Sequence, residues 1–399
     1  YKWGDLTEFD KQNYAHKSQR NVISGYFSFS DISLFKKELK KSNSFELALK
    51  GYHNFSPFKI IKSKGWLDFG HSNLYYRSKR RLNVTRSFNK AIVENNHIRK
   101  ESNSIEKIKR EFQWFKKVPE VINSFLPQVW GYKESKDKAS YVIEFIGAPT
   151  LQEKYVFGNL PEYVYFKILD HIFDFINTAK SIKDNSDIIN VRLNLKKLYI
   201  EKTKLRIKDF IKKSNFNISQ DVLINGKKFP SLSLFLNEVL SVLEENIEKT
   251  KDLQTLTLMH GDLCFSNILY DLRSDNIKII DPRGSLNKNL DDSNIIYGDF
   301  RYDIAKLGHS IIGNYDFIVS GFYNLKHDLN NLSFEFDIQS NKNKLLEEYF
   351  YEKCSNLGVS KQFIKSSITN LFLSMLPLHD ENENRQIALL LNAYQFYFN

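Results

Sequence analysis

Apolar positions repeat at two different periods along this chain, and the change from one to the other divides it. Between Val84 and Ile146 the apolar residues fall in short runs separated by polar turns. Val84 to Val93 reads as strand, polar loop and strand, Asn95-Asn96 as a tight turn, and His97 to Ser102 as a third strand. Ser104 to Lys117 then changes period: Ile105, Ile108, Phe112 and Phe115 recur at helical spacing and define one buried face. Tyr141 to Ile146 is a further strand, running into Gly147-Ala-Pro-Thr150. From Pro161 onward the helical period dominates. Phe166, Leu169, Ile172, Phe173 and Ile176 give one face to a helix over Tyr163–Ile182, Leu195–Lys213 is a strongly basic amphipathic helix, and Pro230–Lys251 is another. Asn225-Gly226 marks a hairpin, and a second hairpin is expected within Asn324–Ile338. Ser374 to Asp380 breaks the last helical stretch. The expected fold class is therefore α+β: a small sheet with one helix, followed by a large helical part.

The first 78 residues follow neither regime for long. Asn21–Ser30 reads as a strand, with Asp31 placed to cap a helix from Ile32 to Lys41. Phe58–Ile61 reads as a second strand, followed by Gly65-Trp-Leu-Asp-Phe-Gly70 and His71-Ser-Asn-Leu-Tyr-Tyr76. The basic run Ser78-Lys-Arg-Arg81 marks the expected boundary, giving a segment 1–78 and a domain 79–399.

Two polar clusters interrupt apolar runs in the stretch Leu258-Met-His-Gly-Asp-Leu-Cys-Phe-Ser-Asn-Ile-Leu-Tyr-Asp271, which is followed by Ile277-Lys-Ile-Ile-Asp-Pro-Arg-Gly284. Leu256–Met259 enters a loop at His260-Gly261-Asp262, while Ile268–Tyr270 and Ile277–Ile280 form a hairpin turned through Arg273–Asn276. That folding gathers Asp262, Asn267 and Asp281 at one end of a small sheet. Phosphoryl transfer from a nucleotide needs such a trio. One carboxylate receives the proton of the attacking hydroxyl, while an amide oxygen and a second carboxylate hold magnesium against the phosphates.

The spacing His260-Gly261-Asp262, Asn267 and Asp281 resembles the aminoglycoside phosphotransferase and choline kinase family, whose fold is protein-kinase-like. The resemblance implies a two-lobed fold with an N-lobe of about 79–146 and a C-lobe of about 147–399. It implies ATP and Mg2+ as cofactors, Asp262 as the catalytic base, and Asn267 and Asp281 as metal ligands. It further implies that Lys100 reaches the phosphates with Glu111 as its partner, and that Ser87 lies in the loop over the phosphates. The backbone of Glu144, Phe145 and Ile146 would bond the adenine edge, while His260 and Asp303 support the catalytic loop. The sequence departs from the family in two places: Arg86 to Lys90 has no glycine where the phosphate loop belongs, and Arg283 stands where a second acidic residue is common. Arg283, Asp299, Arg301 and Asp380 are candidates for facing the acceptor. The planar fork of Arg283 suits a carboxylate or phosphate, or alternatively an ion pair with Asp299 or Asp303.

Residues 21–76 resemble the closing segment of sugar-phosphate nucleotidyltransferases, in which a Ser-Gly-Tyr-Phe strand precedes a helix and a Trp-x-Asp-x-Gly strand follows. Trp66 and Asp68 would then lie near a sugar nucleotide. The Gly-rich loop of that family is absent, and since the chain opens at Tyr1 it is expected upstream. The pair of resemblances suggests a small-molecule kinase that phosphorylates a sugar, polyol or amino alcohol for surface-polysaccharide precursors. The alternatives are a nucleotide-binding pseudokinase scaffold and the C-terminal part of a bifunctional nucleotidyltransferase.

Composition narrows this only a little. A net charge of +11 suits nucleic acid, acidic membrane or nucleotide partners, but the lysines are spread over several faces and no nucleic-acid motif accompanies them. No apolar run is long enough to span a bilayer and no apolar h-region like that of a signal peptide stands in the first residues, so the cytoplasm is the expected compartment. Two cysteines, Cys264 and Cys354, are too few for a disulfide framework or a structural zinc site.

Overall fold

The computed structural model describes residues 27–59, 61, 85–86, 89–94, 97–185, 188–214, 216–249, 255–285, 294–340 and 344–399. The chain divides into two compact units, Tyr1–Leu82 and Asn83–Asn399.

The described part of the first unit is a helical hairpin, α1 (Ile32–Ser42) and α2 (Phe45–Phe55). Asp31 caps α1 by accepting the Ser33 and Leu34 amides, and Ser44 caps α2 by accepting the Leu47 amide. Phe27–Ser30 and Phe58–Lys59, expected to lie in strands, have no sheet partner among the described residues. Aromatic packing takes the place of pairing: the Phe29 ring stacks on Phe35 at 4.2 Å, and Phe58 stacks on Tyr52 at 5.2 Å. Trp66, Asp68 and the Ser78–Arg81 junction lie outside the described residues.

The second unit begins with a five-stranded antiparallel sheet in the order β1-β2-β3-β5-β4. Its strands are β1 (Thr85–Arg86), β2 (Asn89–Glu94), β3 (His97–Ser102), β4 (Val129–Glu134) and β5 (Ala139–Glu144). Between β3 and β4 runs α3 (Ile105–Lys117), which buries Ile108, Glu111, Trp114 and Phe115. Ile108 and Phe115 belong to the apolar stripe that its period predicts, whose other members Ile105 and Phe112 are half-buried; Trp114 was not part of that stripe, and Glu111 is a charge placed inside. Beyond β5 come α4 (Leu151–Phe157), closed by a Thr150–Glu153 capping box, and α5 (Glu162–Ser181).

The basic helix expected over Leu195–Lys213 is longer and is not uniform. It runs from α6 (Ile188–Leu195) through a π-helical stretch, Lys196–Glu201, into α7 (Lys202–Lys213). Widening the turn alters the register, so that Leu198, Tyr199 and Ile200 are all buried. Next are β6 (Val222–Ile224), β7 (Lys227–Phe229) and α8 (Leu232–Lys249). The β6–β7 turn has Asn225 and Gly226 both at positive φ, as a type I′ hairpin demands.

The segment that carries the candidate chemistry follows: β8 (Thr257–Leu258), β9 (Ile268–Asp271), β10 (Asn276–Ile279) and β11 (Tyr297–Gly298). Two two-stranded ribbons, β8 with β11 and β9 with β10, hold its loops. Then come α9 (Phe300–Ile311), α10 (Tyr315–Val319) and the hairpin β12 (Tyr323–Asp328) and β13 (Ser333–Ile338), followed by α11 (Lys344–Asn356), α12 (Lys361–Met375) and α13 (Glu383–Phe398). β13 also pairs in parallel with β6, which joins the two hairpins into one four-stranded sheet. Helices α9 and α12 are buried along almost their whole length and form the core of the helical part. The unit is α+β and two-lobed, kinase-like in the order of its parts. No helix among the described residues is long and apolar enough to cross a membrane.

Candidate active site

Three backbone hydrogen bonds fold the His260–Gly284 segment onto itself. The Arg283 and Gly284 amides both donate to the His260 carbonyl, at 2.8 and 2.9 Å, and the Ile280 amide donates to the Asn267 carbonyl at 2.9 Å. Gly261 is required where the two loops cross. Its φ is +81°, and a Cβ there would come within 2.6 Å of the Gly284 carbonyl oxygen.

Asp303 holds the loop from below. Its two carboxylate oxygens accept the His260 and Gly261 amides at 2.7 Å each, from the first turn of α9. Burial pushes its carboxyl up to about 7, against those two donors. His260 is fully buried. One ring nitrogen accepts the Asp262 amide at 3.2 Å and the other donates to the Ile280 carbonyl at 3.0 Å, which requires the neutral Nε2–H tautomer. Burial lowers its pKa to about 4, with Asp262 opposing. His260 braces the loop and is not placed to shuttle protons. The Trp114 indole stands edge-on to it and donates to the Met259 carbonyl at 2.9 Å.

Lys100 on β3 lies between two carboxylates. It is ion-paired with Glu111 of α3 and meets Asp281 at 2.8 Å. Glu111 also accepts the Tyr141 hydroxyl at 2.7 Å. Burial works against the Lys100 charge, but Asp281 and Glu111 overcome it and raise its pKa. Asp281 is the exposed member, and it adopts φ +60°, a left-handed conformation uncommon outside glycine. Asn267 donates from Nδ2 to the Asp262 carbonyl at 2.9 Å, and its Oδ1 accepts the Ser266 hydroxyl at 3.4 Å. Asp262, Asn267 and Asp281 are thus linked by a continuous path: Asp262 carbonyl, Asn267, Ile280 and its neighbour Asp281.

Asp262 is the reverse of Lys100, an anion between cations. Its Oδ1 meets Lys306 at 3.0 Å and its Oδ2 meets the Arg283 Nε at 3.1 Å. Burial pushes its pKa up, yet Lys306 and Arg283 outweigh burial and hold it well below the ordinary carboxylate range. Lys306 lies one helical turn beyond Asp303 on α9. That i, i+3 spacing, which puts Lys306 on the face of Asp303, is the sequence signal for it.

The remaining candidates are distributed as follows. Ser87 lies outside the described residues. The Glu144 amide already donates to the Gln128 carbonyl, and its carboxylate accepts the Gln128 amide. Of the adenine-edge trio, only Phe145 and Ile146 lie beyond the strand pairing. Asp299 and Arg301, expected to face the acceptor, bond to each other in the interior through Nε and Nη2 at 2.9–3.0 Å, with Tyr199 on Asp299 at 3.1 Å. As the N-cap of α9, Asp299 also accepts the Arg301 amide, and this turns its carboxylate inward. Asp380 lies at the surface, paired with Lys213 at 2.6 Å. Cys264 is buried against the Ser266 hydroxyl at 3.2 Å, and burial pushes its thiol up to about 12, which disfavours the thiolate.

No family model and no curated protein matches the sequence. Similar solved structures include a thermostable mutant of aminoglycoside phosphotransferase APH(4)-Ia in a ternary complex with AMP-PNP and hygromycin B. It is 13% identical, with 78% of this chain and 90% of that chain covered and a TM-score of 0.47. An aminoglycoside-3'-phosphotransferase of type VIII is 12% identical over 73% and 90% of the two chains, with a TM-score of 0.41. The streptomycin-ATP-APH(2")-IIa ternary complex is 14% identical over 85% and 100%, with a TM-score of 0.42. At these values the assignment of roles rests on the geometry of this chain alone.

Proposed function

We propose that the chain is an ATP-dependent kinase that transfers the γ-phosphoryl group to a hydroxyl of a small molecule. The observation that supports this best is the Glu111–Lys100–Asp281 array, buried at Glu111 and Lys100 and joined through Ile280 and Asn267 to the loop that presents Asp262. Lys100 meets the phosphates, with Glu111 holding it in place. Phe145 and Ile146 supply the adenine edge. The acceptor oxygen bonds to the γ-phosphorus, the bond from that phosphorus to the bridging oxygen breaks, ADP departs, and the hydroxyl proton passes to Asp262. A carboxylate with a depressed pKa is a weak base. Its work is therefore to orient the hydroxyl, which suffices when the transition state is loose and catalysis is mostly positioning.

Asn267 Oδ1 and the half-exposed Asp281 are hard oxygen donors. Among the described residues no cluster of three or more His, Cys, Asp or Glu side chains could form a metal cage by itself. Few carboxylates with room for phosphate oxygens suit Mg2+. Asn267 and Asp281 would hold the ion, which when bound neutralises charge on the phosphates.

ADP release from Mg-ATP, measured with and without hydroxyl acceptors, tests this reading. Acceptor-dependent turnover should fall about 10²- to 10⁴-fold in Asp262→Asn. Turnover that survives this substitution would place the chemistry elsewhere. The double grip of Lys306 and Arg283 on Asp262 favours a second reading, a nucleotide-binding scaffold, which would bind ATP and turn over no acceptor. The surface-polysaccharide pathway and the nucleotidyltransferase reading rest on residues largely outside the described ones and add nothing to the reaction.

A further inference from the structure

Two cations touch Asp262 and two more gather around neighbouring Tyr302, more than one carboxylate can balance. Lys306 and Arg283 touch it directly, at 3.0 and 3.1 Å. Lys202, the first residue of α7, donates to the Tyr302 hydroxyl at 2.8 Å with its ammonium 4.7 Å over the ring. Arg206, one turn further along α7, is fixed by donating to the Ser374 carbonyl at 3.1 Å. The electrostatic neighbours of these groups are one another: Arg206 is coupled to Tyr302, Arg283 and Asp262, and Lys202 to Tyr302, Arg206 and Lys306. Nearby acids are otherwise engaged. Asp303 faces the His260 and Gly261 amides, Asp299 faces Arg301, and Asp281 faces Lys100. Keeping four cations together where burial removes them from water is unfavourable unless an anion joins them. Arg283 is half-exposed and held through Nε, so an arriving anion can draw it off Asp262 and free Oδ2 for a hydroxyl.

We propose that the acceptor is itself anionic: a hydroxyl compound bearing a phosphate or carboxylate, held by Lys202, Arg206, Arg283 and Lys306 beside Asp262. The transfer half of this inference rests on the kinase reading; the anion-binding half does not. Cationic acceptors such as amino sugars are disfavoured by the same charges.

The test is Mg-ATP turnover on matched acceptors: glycerol, glycerate and glycerol 3-phosphate, then glucose, glucuronate, glucose 6-phosphate and glucosamine. In at least one series the anionic member should exceed its neutral parent in kcat/KM by about 10- to 100-fold, the loss expected for a missing charged hydrogen bond. The phosphate and carboxylate arms show which anion is preferred. Lys202→Gln and Arg206→Gln should raise KM for the anionic acceptor and narrow its gap to the neutral one. Arg206→Lys should restore most of that KM, which separates lost charge from lost folding. Neutral or cationic acceptors turned over as well as anionic ones would overturn the proposal. So would a rise in KM for ATP in place of the acceptor, because the cluster would then belong to the nucleotide. If nothing turns over, calorimetric titration with glycerol 3-phosphate decides. Binding lost in Lys202→Gln keeps the anion site and sinks the kinase reading, while no binding at millimolar ligand sinks the anion site.

Discussion

The two sides of the candidate active site are built with opposite excess charge. On the side proposed for the nucleotide one cation, Lys100, lies between two carboxylates, Glu111 and Asp281. On the side proposed for the acceptor one carboxylate, Asp262, is held by Lys306 and Arg283, with Arg206 of α7 among its electrostatic neighbours. The first arrangement is short of positive charge, which Mg2+ can supply, and the second is short of negative charge. Each side is therefore unbalanced by the charge of what it would bind. A structural ion-pair network would instead be expected to come close to neutrality within itself.

Removing a cation from each side should distinguish these arrangements. Lys100→Met leaves Glu111 buried opposite Asp281 with nothing between them, and should cost about 3–5 kcal/mol of stability in chemical denaturation. Lys306→Met leaves Arg283 on Asp262, so its cost should be smaller, about 1.5–3 kcal/mol. Equal costs would erase the asymmetry. The loop that joins the two sides gives the next effect. His260 has its pKa lowered to about 4 in the folded chain, so its neutral form stabilises the fold above the ordinary imidazole range, and that contribution is lost as pH falls through about 4. Asp303, raised to about 7, acts in the other sense over the same window: its contribution is complete below the ordinary carboxylate range and is lost as pH rises through about 7. Asp303 is common to wild type and His260→Asn, so their difference isolates the histidine. The stability advantage of wild type should shrink by about 3 kcal/mol as pH falls from about 6.5 to about 4. A constant difference would mean that His260 titrates normally. The smallest effect belongs at the periphery: Asp380→Asn should leave turnover and its pH profile unchanged, since its carboxylate meets exposed Lys213 outside the cluster.

What the sequence disclosed depended on how far apart the cooperating residues lie. Asp262, Asn267 and Asp281 fall within twenty residues, on a loop and hairpin whose turns can be read directly, and Lys100 and Glu111 are one strand and one helix face apart. The cation cluster is assembled from α7, α9 and the Arg283 loop, and its register passes through a π-helical stretch that no periodicity announces. Lys202 and Arg206 consequently read as part of a solvated basic face. Asp299 and Arg301 read as candidates to face the acceptor because sequence does not say which way a helix N-terminus turns its polar groups; the Asp299 cap turned them inward. In the first unit, α2 has no counterpart in the sequence analysis although Ser44 and Glu46 mark its start.

Helix α3 has a mechanical consequence beyond its charge. Trp114 and Arg110 fasten it to the Met259 and Ser285 carbonyls, while Lys116 donates to the Val129 carbonyl of β4 and Glu111 accepts the Tyr141 hydroxyl of β5. The helix is thus a cross-brace, bonded at once to the strands that carry Lys100 and to the loops that carry Asp262 and Asp281. Loosening either end of the brace disturbs the seat of Glu111.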